Sequence, residues 1–143
     1  MIADRYIVAI DFDGTIVEQQ VPPSIGVLFE DAKAAINKLY DSGNYVIIIW
    51  SVRVNKDEED MIKFLDDNGI KYHYVNRNCD EFLKLLDEKN GGFEVPRKIY
   101  YDAAIDDRNV EVVPAPKGCS PIDWDRVQNL LEIKRINENR DRN

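Results

Sequence analysis

The sequence predicts an α/β domain built on a parallel sheet with helices on both faces. Apolar runs of strand length alternate with amphipathic stretches of helix length. Two of the runs, Tyr6-Ile7-Val8-Ala9-Ile10 and Tyr45-Val46-Ile47-Ile48-Ile49-Trp50, are apolar at every position, as interior parallel strands buried on both faces are. Polar, chemistry-bearing residues fall directly after such runs, where open parallel sheets bind their ligands.

Taken in order, the first strand is Tyr6 to Ile10. Leu28, Ala32, Ala35, Ile36, Leu39 and Tyr40 then recur at helical spacing and stop at Gly43, a C-terminal cap. The second strand follows from Tyr45, with Trp50 expected in the core because alternation turns it away from Ser51. Asn55 and Glu58 are spaced as a capping box for a helix with Met61, Phe64 and Leu65 on its inner stripe, ending at Gly69. Ile70 to Val75 reads as a third strand, with His73 one of its side chains, and Phe82, Leu83, Leu85 and Leu86 as a helix ending near Gly91-Gly92. Ile99 to Ile105 is a fourth strand and Val110 to Val113 a short fifth. Ser120 then caps a last helix that Pro121 starts and Trp124, Val127, Leu130 and Leu131 line. Residues 1–136 are expected to form one domain and 137–143 a frayed polar tail.

Asp11-Phe12-Asp13-Gly14-Thr15 closes the first strand and is the most informative stretch. On an extended chain, residues i and i+2 point the same way, so both carboxylates can meet one cation or one phosphoryl group. Gly14 lets the backbone turn beside the ligand. An EF-hand loop starting at Asp11 would place Ile16 where glycine is needed and Pro22 where glutamate is needed. An Asp-Gly hairpin would need a paired strand soon after, and the chain runs instead to a Pro22-Pro23 break. A sugar-transferase DxD would need a donor pocket for which this chain has little room.

Composition narrows the class. The chain has 143 residues, a formal net charge of −8 and a pI near 4.7, so its field repels nucleic acid and anionic membranes. The basic residues Lys134, Arg135, Arg140 and Arg142 near the end are mixed with acids and asparagines and read as a solvated tail. No segment is apolar for long enough to cross a membrane. Met1-Ile2-Ala3-Asp4-Arg5 fits neither a secretory signal nor a transit peptide, and Cys79 and Cys119 are too few for a disulfide framework, so a cytoplasmic protein is expected.

With these residues in place, the sequence resembles the haloacid dehalogenase (HAD) superfamily of mostly magnesium-dependent phosphohydrolases, over roughly Tyr6 to Val113. Asp11-Phe12-Asp13-Gly14-Thr15 is similar to that family's first motif, Ile48-Ile49-Trp50-Ser51 to its second, Lys98 to its third and Ile105-Asp106-Asp107 to its fourth. The resemblance implies a three-layer Rossmann-like sheet of about five strands in the order 5-4-1-2-3. It implies Asp11 as nucleophile, Asp13 as general acid and base, Ser51 as a donor to the phosphoryl group and Lys98 as the neutralising cation, with Arg97 and Lys89 as alternatives. Mg2+ would be held by Asp11, the main-chain carbonyl of Asp13 and Asp106, with Asp107 in support. Arg53, Asn76 and Arg77 follow strands and are candidates to bind the substrate. Arg53 could instead pair on the surface with the acids of Asp57 to Asp60.

Neither gap between motifs has the length for an inserted lid, so the resemblance is to the capless subset. There the site is closed by a neighbouring subunit, by a large substrate or not at all. The expected activity is hydrolysis of a phosphorylated small molecule or nucleotide. The alternatives are a nucleotide 5′-phosphatase specifically, or a non-catalytic module that binds phosphate or a partner.

Overall fold

The computed structural model describes residues 4–91 and 94–142. Met1-Ile2-Ala3, Gly92 and Asn143, which entered the expectations above, lie outside the described residues. Among those described, β1 (Tyr6–Ile10), β2 (Tyr45–Ile49), β3 (Tyr74–Val75) and β4 (Ala103–Ile105) form a four-stranded parallel sheet in the order β3-β2-β1-β4. The helices are α1 (Glu30–Asp41), α2 (Asn55–Asp67), α3 (Asp80–Asn90) and α4 (Trp124–Arg142).

Strand alternation divides the core in two. Tyr6, Val8, Ile10, Tyr45, Ile47 and Ile49 pack with Ala32, Ala35, Ile36 and Leu39 of α1, Met61 and Leu65 of α2, and Trp124 and Leu131 of α4. Ile7, Ala9, Val46 and Ile48 face the other way, onto Cys79, Ile99 and the stacked rings of Phe82 and Tyr100. Every residue of β1 and β2 is buried, which is why these strands read as unbroken apolar runs. Gly43 and Gly69, at φ +73 and +68, end α1 and α2 as their positions suggested.

The expected fifth strand does not form, so the sheet has four strands and not the order 5-4-1-2-3. Val110 and Val113 are 99% and 73% exposed, the Val112 N–H turns back to the Asn109 carbonyl, and Pro114 and Pro116 offer no donors to a ladder.

Two other strands are shorter than expected because side chains take ladder positions. Lys71 N–H donates to Asn37 Oδ1, and His73 Nδ1 accepts the Ile47 N–H, leaving only Tyr74–Val75 in register. Asp102 Oδ2 accepts the Ile7 N–H at 2.7 Å, and Tyr100 N–H donates to Asn78 Oδ1, so β4 begins only at Ala103.

Trp50 is 37% exposed and not a core residue, since it sits just past the end of β2. The Asn55–Glu58 capping box is absent: α2 has no side-chain cap, and Glu58 instead accepts from Asn76 Nδ2. The last helix starts three residues later than Pro121 suggested, with Asp123 Oδ1 accepting the Arg126 N–H and Ser120 holding Trp124 Nε1. It then continues to Arg142 through most of the expected tail.

Candidate active site

The carboxyl ends of β1 and β4 are joined by Asp11 N–H donating to the Ile105 carbonyl at 2.9 Å, which sets Asp11 beside Asp106 and Asp107. The chain then folds over itself: Ile16 N–H donates to the Phe12 carbonyl and Gly14 N–H to the Val17 carbonyl. Gly14 has φ +86, and a Cβ there would lie 2.4 Å from Asp107 Oδ2. Only glycine allows this turn and the close approach of the Asp107 carboxylate together.

One carboxylate oxygen from each of Asp11, Asp106 and Asp107 falls within 4.8 Å of the others. Thr15, fully buried, ties two of them: its hydroxyl lies 3.1 Å from Asp11 Oδ2 and 3.3 Å from Asp107 Oδ1, and accepts the Asp107 N–H at 3.0 Å. Burial pushes the Asp11 carboxyl up to about 8, with the Asp106 and Asp107 charges adding to the rise and Thr15 opposing it. Crowded hard oxygens that resist ionisation together are the donor set a divalent cation satisfies.

Asp13 stands apart from this cluster. Its carboxylate, 8% exposed, takes a two-pronged ion pair from Arg53, which is 1% exposed: Nε to Oδ2 at 2.9 Å and Nη2 to Oδ1 at 2.8 Å. Arg53 Nη2 also donates to the Ser24 carbonyl at 2.5 Å, pinning the short flap between Val17 and Leu28. The guanidinium lies over the Phe12 ring, and its Nη1 is buried with no partner among the described residues. The surface pairing with residues 57–60 is not made by Arg53; Lys56 pairs with Asp60 instead.

Ser51 and Asn76 shape the loop that carries Arg53. Ser51 Oγ accepts the Arg53 N–H, while Asn76 takes the Ser51 N–H on Oδ1 and donates to the Arg53 carbonyl and Glu58 through Nδ2. Asn76 therefore braces the site, its left-handed backbone at φ +52 suiting asparagine. Arg77 lies over the Tyr74 ring and pairs with Asp80, away from the carboxylates.

Lys98 is not brought to the cluster. It precedes Asp102, which pairs with Ile7 near the amino end of β1, and its ammonium lies over the Tyr101 ring, 5.5 Å from the centroid. Neither Arg97, exposed beside it, nor Lys89, in the last turn of α3, replaces it. The buried cation here is Arg53. The sequence suggests a substrate contact for Arg53 but shows neither its pair with Asp13 nor the Thr15 hydroxyl that bridges two carboxylates. The sole available signal for both was the short distance along the chain from the strand ends.

No protein-family model matches the chain, and no curated protein sequence does. A solved structure titled as a conserved protein from Bacteroides thetaiotaomicron is similar to it. The identity is 29%, with 91% of this chain and 92% of that chain covered and a TM-score of 0.68. No described helix is long and apolar enough to cross a membrane.

Proposed function

We propose that this protein is a magnesium-dependent phosphomonoester hydrolase of the HAD type, working through an aspartyl-phosphate on Asp11. The observation that carries the reading is the meeting of Asp11, Asp106 and Asp107 at the strand ends, with Asp13, two residues past Asp11, held by the buried Arg53. Asp11, Asp106 and the main-chain carbonyl of Asp13, with Asp107 in support, would hold the cation, which when bound neutralises phosphoryl oxygens and keeps Asp11 ionised.

In the first half-reaction an Asp11 oxygen attacks phosphorus in line, the ester P–O bond breaks, and the leaving oxygen takes a proton. In the second, water attacks the aspartyl-phosphate, gives up a proton, and phosphate leaves with Asp11 restored. Asp13 suits the proton transfers. It would give a proton to the leaving oxygen in the first half-reaction and take one back from the attacking water in the second, and both steps need Arg53 to release one of the two oxygens it now holds. An incoming phosphoryl group is a partner for the idle Arg53 Nη1 and would draw the fork towards itself. Arg53 thus takes the charge-neutralising part expected of Lys98.

The closed Asp13–Arg53 pair also favours a second reading, a non-catalytic phosphate-binding module. Release of phosphate from p-nitrophenyl phosphate, with magnesium and with chelator, separates the two. Turnover that needs magnesium and falls at least ~10³-fold in Asp11→Asn supports hydrolysis. Saturable phosphate binding without turnover supports the module.

A further inference from the structure

The end of the segment that was expected to form a fifth strand, Val112 and Val113, and the loop after it make a wall beside Asp107. Residues 112–119, together with Gly14, Glu18, Gln19, Phe29, Asp107 and Arg108, enclose a cleft of about 460 Å³. It shares Asp107 with the cluster described above, and Gly14 with the turn packed against it, so a ligand held at the three carboxylates has this space next to Asp107. Two cations face into it. Arg108 is 78% exposed and reaches only Asp107, at 3.9 Å, while Lys117 makes no ion pair among the described residues. Against them stand Glu18 and Asp107, the second of which is committed to the metal cluster.

The wall is also fixed in shape. Pro114 and Pro116 restrict the backbone, and the Cys119 N–H donates to the Pro116 carbonyl across a tight turn that has Gly118 at φ +85. Lys117 is therefore presented on a turn of set geometry. Lys117 and Arg108 thus bring positive charge to a cleft that borders the carboxylate cluster, in a chain of net charge −8.

We infer that this cleft receives a second anionic group, carboxylate or phosphate, on the leaving-group side of the substrate, with Lys117 and Arg108 as its contacts. The inference rests on the hydrolase reading for the position of the phosphoryl group. It narrows the substrate class to phosphate esters whose alcohol part carries another negative charge.

Glycerol 3-phosphate, 3-phosphoglycerate and 2,3-bisphosphoglycerate share a three-carbon skeleton and differ in anionic groups, so kcat/KM for the three at low ionic strength tests the inference. Exposed ion pairs contribute modestly, and the expected preference for the charged alcohols over glycerol 3-phosphate is about fivefold. It should fade with added salt. Lys117→Glu should abolish or invert the ratio, whereas Lys84→Glu, the same charge change on the exposed side of α3, should keep it. A wild-type ratio of one or less, or a ratio unmoved by Lys117→Glu, overturns the inference and leaves the hydrolase reading standing. If no ester is hydrolysed, the hydrolase reading fails by itself. The same ratios, taken from calorimetric dissociation constants with magnesium, then decide the cleft's role by the same criteria, and absence of binding by all three overturns it.

Discussion

Replacing Asp106 by asparagine should make the metal-free protein more stable and the magnesium-loaded protein less so. The shape and the hydrogen bond are kept, since Asn Oδ1 can still accept the Arg108 N–H now taken by Asp106 at 2.8 Å. What goes is one charge among three whose oxygens lie within 4.8 Å. Two unit charges at that separation repel by about 3.5 kcal/mol at an effective dielectric constant near 20 and by about 0.9 kcal/mol in water. The half-buried site falls between, so relief of about 1–3 kcal/mol is expected. For a chain of this length that is a rise in melting temperature of roughly 3–10 °C, measured by thermal denaturation in chelator near pH 8. In magnesium at a thousand times the wild-type dissociation constant the order should reverse, because the wild type gains about 4.1 kcal/mol, more than the relief, and the variant, short of a ligand, gains little. A variant that melts below the wild type in chelator would refute the repulsion argument.

The other consequences concern Arg53, Gly14 and His73. Arg53→Met leaves the Asp13 charge buried without a partner and should cost about 3–5 kcal/mol in urea unfolding, most of it recovered in the Arg53→Met, Asp13→Asn double variant. A single-variant loss under about 1 kcal/mol would count against a buried pair. Gly14→Ala should cost about 1–3 kcal/mol and displace Asp107, weakening magnesium binding measured by calorimetry, because φ is +86 and the new Cβ has no room. Burial holds His73 below its ordinary value, so its stabilisation is present above about pH 6.5 and is lost as pH falls through the lowered folded value. Asp11, raised to about 8, gives the opposite slope in metal-free buffer, stability falling as pH rises towards that value. Melts of Asp11→Asn with and without His73→Gln isolate the histidine, and the His73→Gln protein should lose less stability between about pH 7 and pH 5.

The elements legible in the sequence are those whose cause is local. β1 and β2 are apolar throughout because both faces are covered, and α1 carries Ala32, Ala35, Ile36 and Leu39 on one stripe. The convergence of Asp11 with Asp106 and Asp107 followed from the rule that parallel strands deliver ligands at their carboxyl ends. What could not be read were exchanges between distant parts. Val110-Glu111-Val112-Val113 has the residues of a strand, yet the prolines after it and the lack of a burying partner leave Val110 exposed and only Val112 and Val113 against the cleft. Glu58 has the spacing of a cap but finds Asn76, distant in sequence and adjacent in space. Lys98 was placed by motif order alone, and the Asp102 side chain, by taking over the Ile7 N–H, shortens the strand that would have followed it. Arg53 was legible as a residue near the strand ends, but the partner that fixes it, Asp13, follows a different strand.

The central claim, that Asp11 attacks phosphorus, is tested most directly by rapid quenching of the magnesium-loaded protein during turnover of a phosphoryl-labelled ester, followed by peptide mapping. The account predicts label on Asp11 at a level that falls as substrate is consumed, and none in Asp11→Asn, whose turnover is lower by at least ~10³-fold. Turnover with label elsewhere, or Asp11→Asn activity within about tenfold of the wild type, would contradict it.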